Sequence, residues 1–286
     1  MTHSLWVNDR LTDAPALDPR DRGFTLGDGL FETIRALGGR MPLLPLHLAR
    51  LRSSAGVIGL PIPWTDAFLA AATGAVLSAN GLADAAVRLT VSRGIPSVRG
   101  LLPDTQPNPT LVIDVHPFAG YPADLYERGA TLVTSQIRRD ERSPLARVKS
   151  VSRLEHVLAR RAAADAGADE ALIQNSQGRA AGATAANLFV VTGRRLLTPP
   201  LEEGALPGIV RGLILDELGS SAGGDAGEGT VSFGDLDRAD EVFLTNALLG
   251  ILPVASLDGR RLGRERTLTS RIAEHLALRL RGAPAA

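Results

Sequence analysis

Lys149-Ser150-Val151-Ser152-Arg153-Leu154-Glu155-His156-Val157-Leu158-Ala159-Arg160 contains the single lysine of a 286-residue chain, set just before a helical stretch. Of 31 basic residues one is this lysine and the remaining 30 are arginine, against 31 Asp and Glu. A genome biased toward GC-rich codons accounts for the arginines and for the many Ala, Gly and Pro. It leaves the lysine unexplained. An amine can form a Schiff base and lose its proton when buried, whereas a guanidinium does neither near neutral pH. The preceding stretch, residues 138–147, is irregular and Arg-rich. Lys149 is therefore expected to meet both desolvation and like-charge repulsion, each of which lowers an amine's pKa. By itself a lone lysine is more often a solvated surface residue, so its surroundings in the chain must decide.

Downstream, residues 152–166 read as a helix closed by Gly167, between strands at 130–137 and 170–174. A turn at 175–178 leads to a strand at 187–192. Pro207-Gly208 opens a helix running to about Leu218. Residues 219–229, rich in Gly, Ser and Ala, are expected to form a mobile loop. A strand at 241–245 and a helix at 268–280 follow, and residues 282–286 are expected to fray. Upstream, residues 5–7 and 10–11 form a short hairpin through Asn8-Asp9, and residues 30–37 lead into a second at Gly38-Gly39. Helices are expected at 45–60, with Leu48 and Leu51 on neighbouring turns, and at 64–80, with Thr65 as N-cap. Strands at 86–92 and 110–116 are joined by a loop, 93–109, long enough to suspect function. Pro117, Gly120 and Pro122 mark a linker. The expected organisation is a smaller α+β domain (1–117), a linker (118–123) and a larger domain (124–286). Strands in local hairpins favour α+β over a doubly wound sheet.

Composition removes several classes of function. A neutral chain with no basic run longer than two residues lacks the electrostatic footprint of a nucleic-acid or anionic-membrane binder. Zero cysteines exclude disulfides, thiolate zinc sites and iron–sulfur clusters. His3, His47, His116, His156 and His275 show no metal-ligand spacing, so no metal is expected. No eighteen apolar residues run together and the start has no signal-peptide pattern, so a cytoplasmic enzyme is expected.

The residues around Lys149, with Ala168-Asp169-Glu170-Ala171-Leu172 and Asn187-Leu188-Phe189-Val190-Val191, resemble the class IV aminotransferases. So do Arg22-Gly23-Phe24, Gly27-Asp28-Gly29-Leu30-Phe31-Glu32-Thr33, His47-Leu48-Ala49-Arg50-Leu51, Pro207-Gly208-Ile209-Val210-Arg211 and the stretch from Glu241 to Ala247. Together, in the family's order, they span about Leu5 to Val254. The resemblance implies a homodimeric, two-domain fold-type IV enzyme that binds pyridoxal 5'-phosphate in a cleft between its domains. By that resemblance Lys149 holds the cofactor covalently and shuttles protons, and Arg50 binds its phosphate, which a guanidinium can engage with two donors. Ile209 and Val210 would add backbone N–H groups at a helix start. Asn246 would supply further phosphate or ring contacts.

Which reaction is run rests on two departures. Branched-chain enzymes carry a tyrosine five residues after the lysine, where this chain has Leu154. The Arg153-Leu154-Glu155 pattern is closer to aminodeoxychorismate lyase, as are Ser92-Arg93-Gly94, Arg99-Gly100-Leu101 and Thr245-Asn246-Ala247-Leu248. The expected reaction converts 4-amino-4-deoxychorismate to 4-aminobenzoate and pyruvate, a folate-precursor step, with Arg93 and Arg99 on the carboxylates of a small amino substrate. The alternatives are an aminotransferase of D- or branched-chain amino acids and a catalytically altered or non-catalytic relative. The second departure is Gly182, which stands where the family has a glutamate on the cofactor's ring nitrogen. Losing that carboxylate weakens the electron sink by roughly 2–4 kcal/mol, on the scale of other electrostatic deletions. Elimination tolerates this better than transamination, because the electrons leave with the departing group and aromaticity drives the step. A water or Arg179 would fill the space.

Overall fold

The computed structural model describes residues 3–263 and 265–282. The chain divides into two compact units, Met1–Ala119 with Val148–Ser152, and Gly120–Arg147 with Arg153–Ala286. Residues 283–286, most of the expected frayed end, lie outside the described residues.

In the first unit, β1 (Leu5–Val7), β2 (Arg10–Thr12), β3 (Gly29–Ala36), β4 (Ala85–Ser92) and β5 (Thr110–Pro117) form an antiparallel sheet in the order β2-β1-β5-β4-β3. Alternation sends Leu30 and Ile34, Val87, Leu89 and Val91, and Leu111, Ile113 and Val115 to one face. There they pack with Leu44, Leu48 and Leu51 of α2 (Leu44–Ile58) and Leu69, Ala72 and Val76 of α3 (Asp66–Ala79), α1 being the short helix Arg22–Leu26. The Thr65 hydroxyl caps α3 by accepting from the Phe68 N–H at 3.2 Å. The second expected hairpin closes by a single bridge, Leu37 to Arg40, because the chain turns at once into α2.

β3 is an edge strand, and residues Val148–Ser152 cover it. Phe31 N–H donates to the Lys149 carbonyl at 3.0 Å, and Val151 N–H donates to the Gly29 carbonyl at 3.0 Å. An exposed strand edge presents unpaired donors and acceptors, and this short return satisfies them. Lys149 therefore belongs to the first unit and not to the continuous domain expected from residue 124 onward, since its backbone pairs with β3.

The second unit holds β6 (Ala130–Arg139), β7 (Glu170–Asn175), β8 (Ala180–Ala183), β9 (Asn187–Thr192), β10 (Arg195–Thr198), β11 (Asp225–Glu228), β12 (Glu241–Asn246), β13 (Gly250–Leu257) and β14 (Arg260–Arg261). The sheet order is β11-β10-β9-β12-β13-β6-β7-β8, with β14 on β13. Parallel pairing occurs at β6–β7, β6–β13 and β10–β11, within an otherwise antiparallel sheet. Its helices are α4 (Ala123–Arg128), α5 (Leu154–Asp165), α6 (Ile209–Leu213), α7 (Gly219–Ser221), α8 (Phe233–Arg238) and α9 (Thr267–Arg281). A π-helical turn, Ile214–Leu218, joins α6 to α7.

The stretch 219–229 is not a loop. It contains α7 and β11, whose Asp225 to Glu228 pair in parallel with Arg195 to Thr198. Its glycines serve close packing: a Cβ at Gly224 would lie 2.1 Å from Leu196 Cδ1, and one at Gly219 would lie 2.7 Å from Ala226 Cβ. Small residues here mimic the composition of a linker for a different physical reason.

Gly94 starts the 93–109 loop at φ +84, and a Cβ there would lie 1.8 Å from the Asn108 carbonyl oxygen. Gly94→Ala is expected to destabilise the protein by about 1–3 kcal/mol, as forced overpacking does, read from the denaturant midpoint.

Candidate active site

In the first unit the core-facing side of β3 carries a carboxylate, Glu32, that is fully buried. His47 Nδ1–H donates to it at 2.7 Å and Arg50 Nε–H at 2.8 Å, with a second, short bond from the terminal guanidinium nitrogen of Arg50. Both partners come from α2, three residues apart and so on one helix face. Burial pushes Glu32 up, but the bonds from Arg50 and His47 and the charge of Arg50 outweigh it and hold the carboxyl below its usual range. His47 is lowered, chiefly by burial, with Arg50 and Lys149 adding to the effect against Glu32. Its Nε2 is buried and has no hydrogen-bond partner.

On the other face of β3, Phe31 collects two cations. Lys149 Nζ lies 4.4 Å from its ring centroid and Arg88 Cζ lies 3.5 Å from it. Such contacts contribute about 0.5–1 kcal/mol each near a surface. The lysine is half-buried, and the backbone pairing with β3 puts it directly across from Phe31. Burial pushes Arg88 down, opposed by the charge of Glu32. Lys149 and Arg88 thus put two cations against one ring on this face, while Arg50 on the core face is paired to Glu32.

Arg93, expected on a substrate carboxylate, has its donors engaged within the chain. It is buried, and its Nε donates to Asp28 at 2.7 Å while its two terminal nitrogens donate to the Gly59 and Ile58 carbonyls at 2.7 and 2.8 Å. Asp28 also takes Arg22 Nε–H at 2.8 Å, and Arg22 ties down the Gly100 and Leu101 carbonyls. Burial raises Asp28, but Arg93 and Arg22 more than compensate and lower it. The Gly27-Asp28-Gly29 motif is thus an anchor for the 93–109 loop. Arg99, on that loop, is exposed.

In the second unit Gly182 lies buried in β8 at φ +143, where a Cβ would meet the Ala186 carbonyl oxygen at 3.0 Å. This backbone disfavours any L side chain, so the difference from the family's glutamate is one of chain conformation as well as of charge. Arg179 does not fill the space. Its Nε donates to Glu203 at 2.7 Å and a terminal nitrogen donates to Gln177 at 2.6 Å. Near β8, Arg153 donates to the Thr184 carbonyl at 2.7 Å and the Thr184 hydroxyl donates to the buried Glu170. The start of α6, with Ile209 and Val210, has Gly208 as N-cap and no side-chain cap. Gly208 is required there, since a Cβ would fall 2.0 Å from Asn187 Oδ1. Asn246 works on its own turn: Oδ1 accepts from the Leu248 and Leu249 N–H groups at 2.9 and 2.7 Å, and Nδ2 donates to the Ala185 carbonyl.

Motif spacing did not reveal the roles of Glu32, His47, Phe31 and Arg88. Alternation in β4 carried a signal for the last of these, because Arg88 interrupts an apolar strand on the face opposite Val87 and Leu89.

The sequence profile described as amino-transferase class IV matches residues 29–257. A Methanocaldococcus jannaschii protein provisionally named branched-chain-amino-acid aminotransferase is 36% identical over 84% of this chain and 82% of its own length. Aminodeoxychorismate lyase of Vibrio harveyi is 30% identical over 83% of this chain and 86% of its own. The solved 4-amino-4-deoxychorismate lyase of Pseudomonas aeruginosa superposes with a TM-score of 0.86 at 33% identity, covering 95% of this chain and 97% of that one.

Two outcomes are expected from the site. Glu32→Gln should cost about 3–5 kcal/mol at pH 7, the usual effect of breaking a buried charge network. Because the folded carboxyl is depressed below its ordinary 4.5, its contribution is full above that value and disappears as pH falls through the lower folded one. Melting curves of parent and variant should therefore converge in acid. Gly182→Ala and Gly182→Glu should both lower the melting temperature, the backbone itself resisting a side chain.

Proposed function

We propose, for a chain that belongs to the class IV aminotransferase family of pyridoxal 5'-phosphate-dependent enzymes, that it eliminates pyruvate from 4-amino-4-deoxychorismate to leave 4-aminobenzoate. The observation that carries this reading is the glycine-only backbone at Gly182. A glutamate on the cofactor's ring nitrogen is absent there and is disfavoured by conformation, so the reaction should be one that leans least on the ring as an electron sink. Similarity to the Pseudomonas lyase over nearly the whole chain supports the same assignment.

The residues present suit the cofactor's amine and phosphate partners. Lys149 is the one amine side chain of the sequence, and it shares the Phe31 ring with the Arg88 guanidinium, a pair of cations that fits a phosphate. Lys149 would hold the aldehyde carbon, and Arg50 would hold the phosphate. Bound there, the cofactor supplies an electrophile for the substrate's amino nitrogen and a ring that draws electrons from the carbon bearing it. Glu32 fixes Arg50 in orientation, and Phe31 limits where the Lys149 amine can lie. The Lys149 amine would take the proton from the substrate carbon that bears the amino group and later supply one to the product. The carbon–oxygen bond to the enolpyruvyl group breaks with its electron pair on oxygen. Enolpyruvate gains a proton and becomes pyruvate, and the ring, having lost a proton and that substituent, becomes aromatic. Arg99 is the loop cation assigned to a substrate carboxylate. The active form is assigned as a homodimer acting in the cytoplasm.

The competing reading, transamination of D- or branched-chain amino acids, is favoured by the likeness to the Methanocaldococcus relative. The purified protein is expected to be yellow, with a borohydride-sensitive band and added mass on Lys149; a preparation that stays colourless with added cofactor would mean a non-catalytic relative. Release of 4-aminobenzoate should exceed transamination with 2-oxoacid acceptors by about 10²–10³ in kcat/KM, the scale of one lost electrostatic contact. Lys149→Ala should lose at least about 10²-fold in turnover. Transamination faster than 4-aminobenzoate release would overturn the lyase assignment.

A further inference from the structure

In the first unit the face of the sheet away from α2 and α3 brings together two imidazoles and a carboxylate that the reaction does not use. His3 Nε2 lies 2.6 Å from Asp114 Oδ1, and His116 Nε2 lies 2.9 Å from Asp114 Oδ2. The two rings stack at 5.6 Å with an interplanar angle of 13°. We propose that His3, Asp114 and His116 form a binding site for a divalent transition-metal ion of the zinc type, fastening the segment before β1 to β5.

The geometry follows from the sheet. Asp114 and His116 are two residues apart on β5, so their side chains leave the same face. Pairing of Trp6 with Ile113 and Val7 with Val112 carries the preceding segment along β5 until His3 stands across from His116. Among the described residues this is the group of three His, Cys, Asp or Glu side chains whose ligand atoms all lie within 4.8 Å of one another. Two imidazole nitrogens and one carboxylate oxygen match zinc and its neighbours in donor type, and they leave a fourth position to water, as ligand sets of three do. The Nε2 atoms already converge on the carboxylate, so the ion takes the place of the two hydrogen-bonding protons, which move to Nδ1 or to solvent. Asp114 Oδ1 is further oriented by accepting the Val115 N–H at 2.8 Å. Electrostatics leave room for the ion. Arg88 stands across from Asp114 on β4, but its guanidinium is drawn onto the Phe31 ring, and Arg35 is drawn onto Phe118 at 4.8 Å. His3 and His116 are exposed and Asp114 is half-buried, so the site is open to entry.

The test uses the full chain without a histidine tag, stripped with chelator and titrated with Zn²⁺ by calorimetry and with Co²⁺ by visible absorbance. The expected result is one ion per chain, a rise in melting temperature with added Zn²⁺, and affinity weakened at least about tenfold in His116→Ala and in Asp114→Asn. Melting curves in chelator control for misfolding of either variant, and His275→Ala controls for adventitious histidine binding. Equal affinity in parent and His116→Ala, or no saturable binding by the parent, would overturn the proposal and leave a simple His–Asp–His ion-pair cluster.

Discussion

Two backbone hydrogen bonds decide where the single lysine of this chain lies. Phe31 donates to the Lys149 carbonyl and Val151 to the Gly29 carbonyl, so a five-residue return lies along the open edge of β3. A lysine on a free loop would spread its amine over many rotamers, and ordering it would cost backbone and side-chain entropy each time. Paired to a strand, its Cα is fixed and only the side-chain torsions remain, limited further by the Phe31 ring. Gly29 is part of the same arrangement, because a Cβ there would lie 2.8 Å from the Val91 carbonyl and push β3 away from β4.

Around that pairing, charge is arranged by burial. Glu32 and Asp28 are each held as carboxylates by two basic partners, and each converts a pair of side chains into a fixed part of the scaffold. The outcome differs because of what is left over. At Asp28 both arginines are consumed, their remaining donors going to carbonyls of the chain. Around Glu32, His47 is driven toward its neutral form and Arg50 alone balances the carboxylate. Arginine suits both places through its planar fork of donors, and neither place needs a nucleophile.

The motifs and the periodicity of the chain made much of this legible. Helices α2, α3 and α5 and strands β3, β4, β5, β6, β7 and β9 follow from apolar alternation and caps, within a residue or two at their ends. The family's order of motifs singled out Lys149 and Arg50. Strand β8 escaped because Ala180-Ala181-Gly182-Ala183 has no β-branched or aromatic residue, and β11 escaped because small residues that pack tightly look like a linker. The partners of Arg93 were hidden for a related reason: a guanidinium saturated by a carboxylate and two carbonyls has the same letter as one facing a ligand.

By itself the sequence determined the family, the single lysine at its motif and the glycine at position 182 where the family has a glutamate, since these depend on residue identity at given spacings. Only the tertiary structure decided that Gly182 sits in a backbone conformation suited to no other residue, that Arg93 is spent on the scaffold, and that His3, separated from Asp114 and His116 by more than a hundred residues, meets them on one face. The physical reason is the same in each case. Conformation, hydrogen-bond saturation and convergence of side chains across strands are properties of neighbours in space, and no local pattern along the chain encodes them.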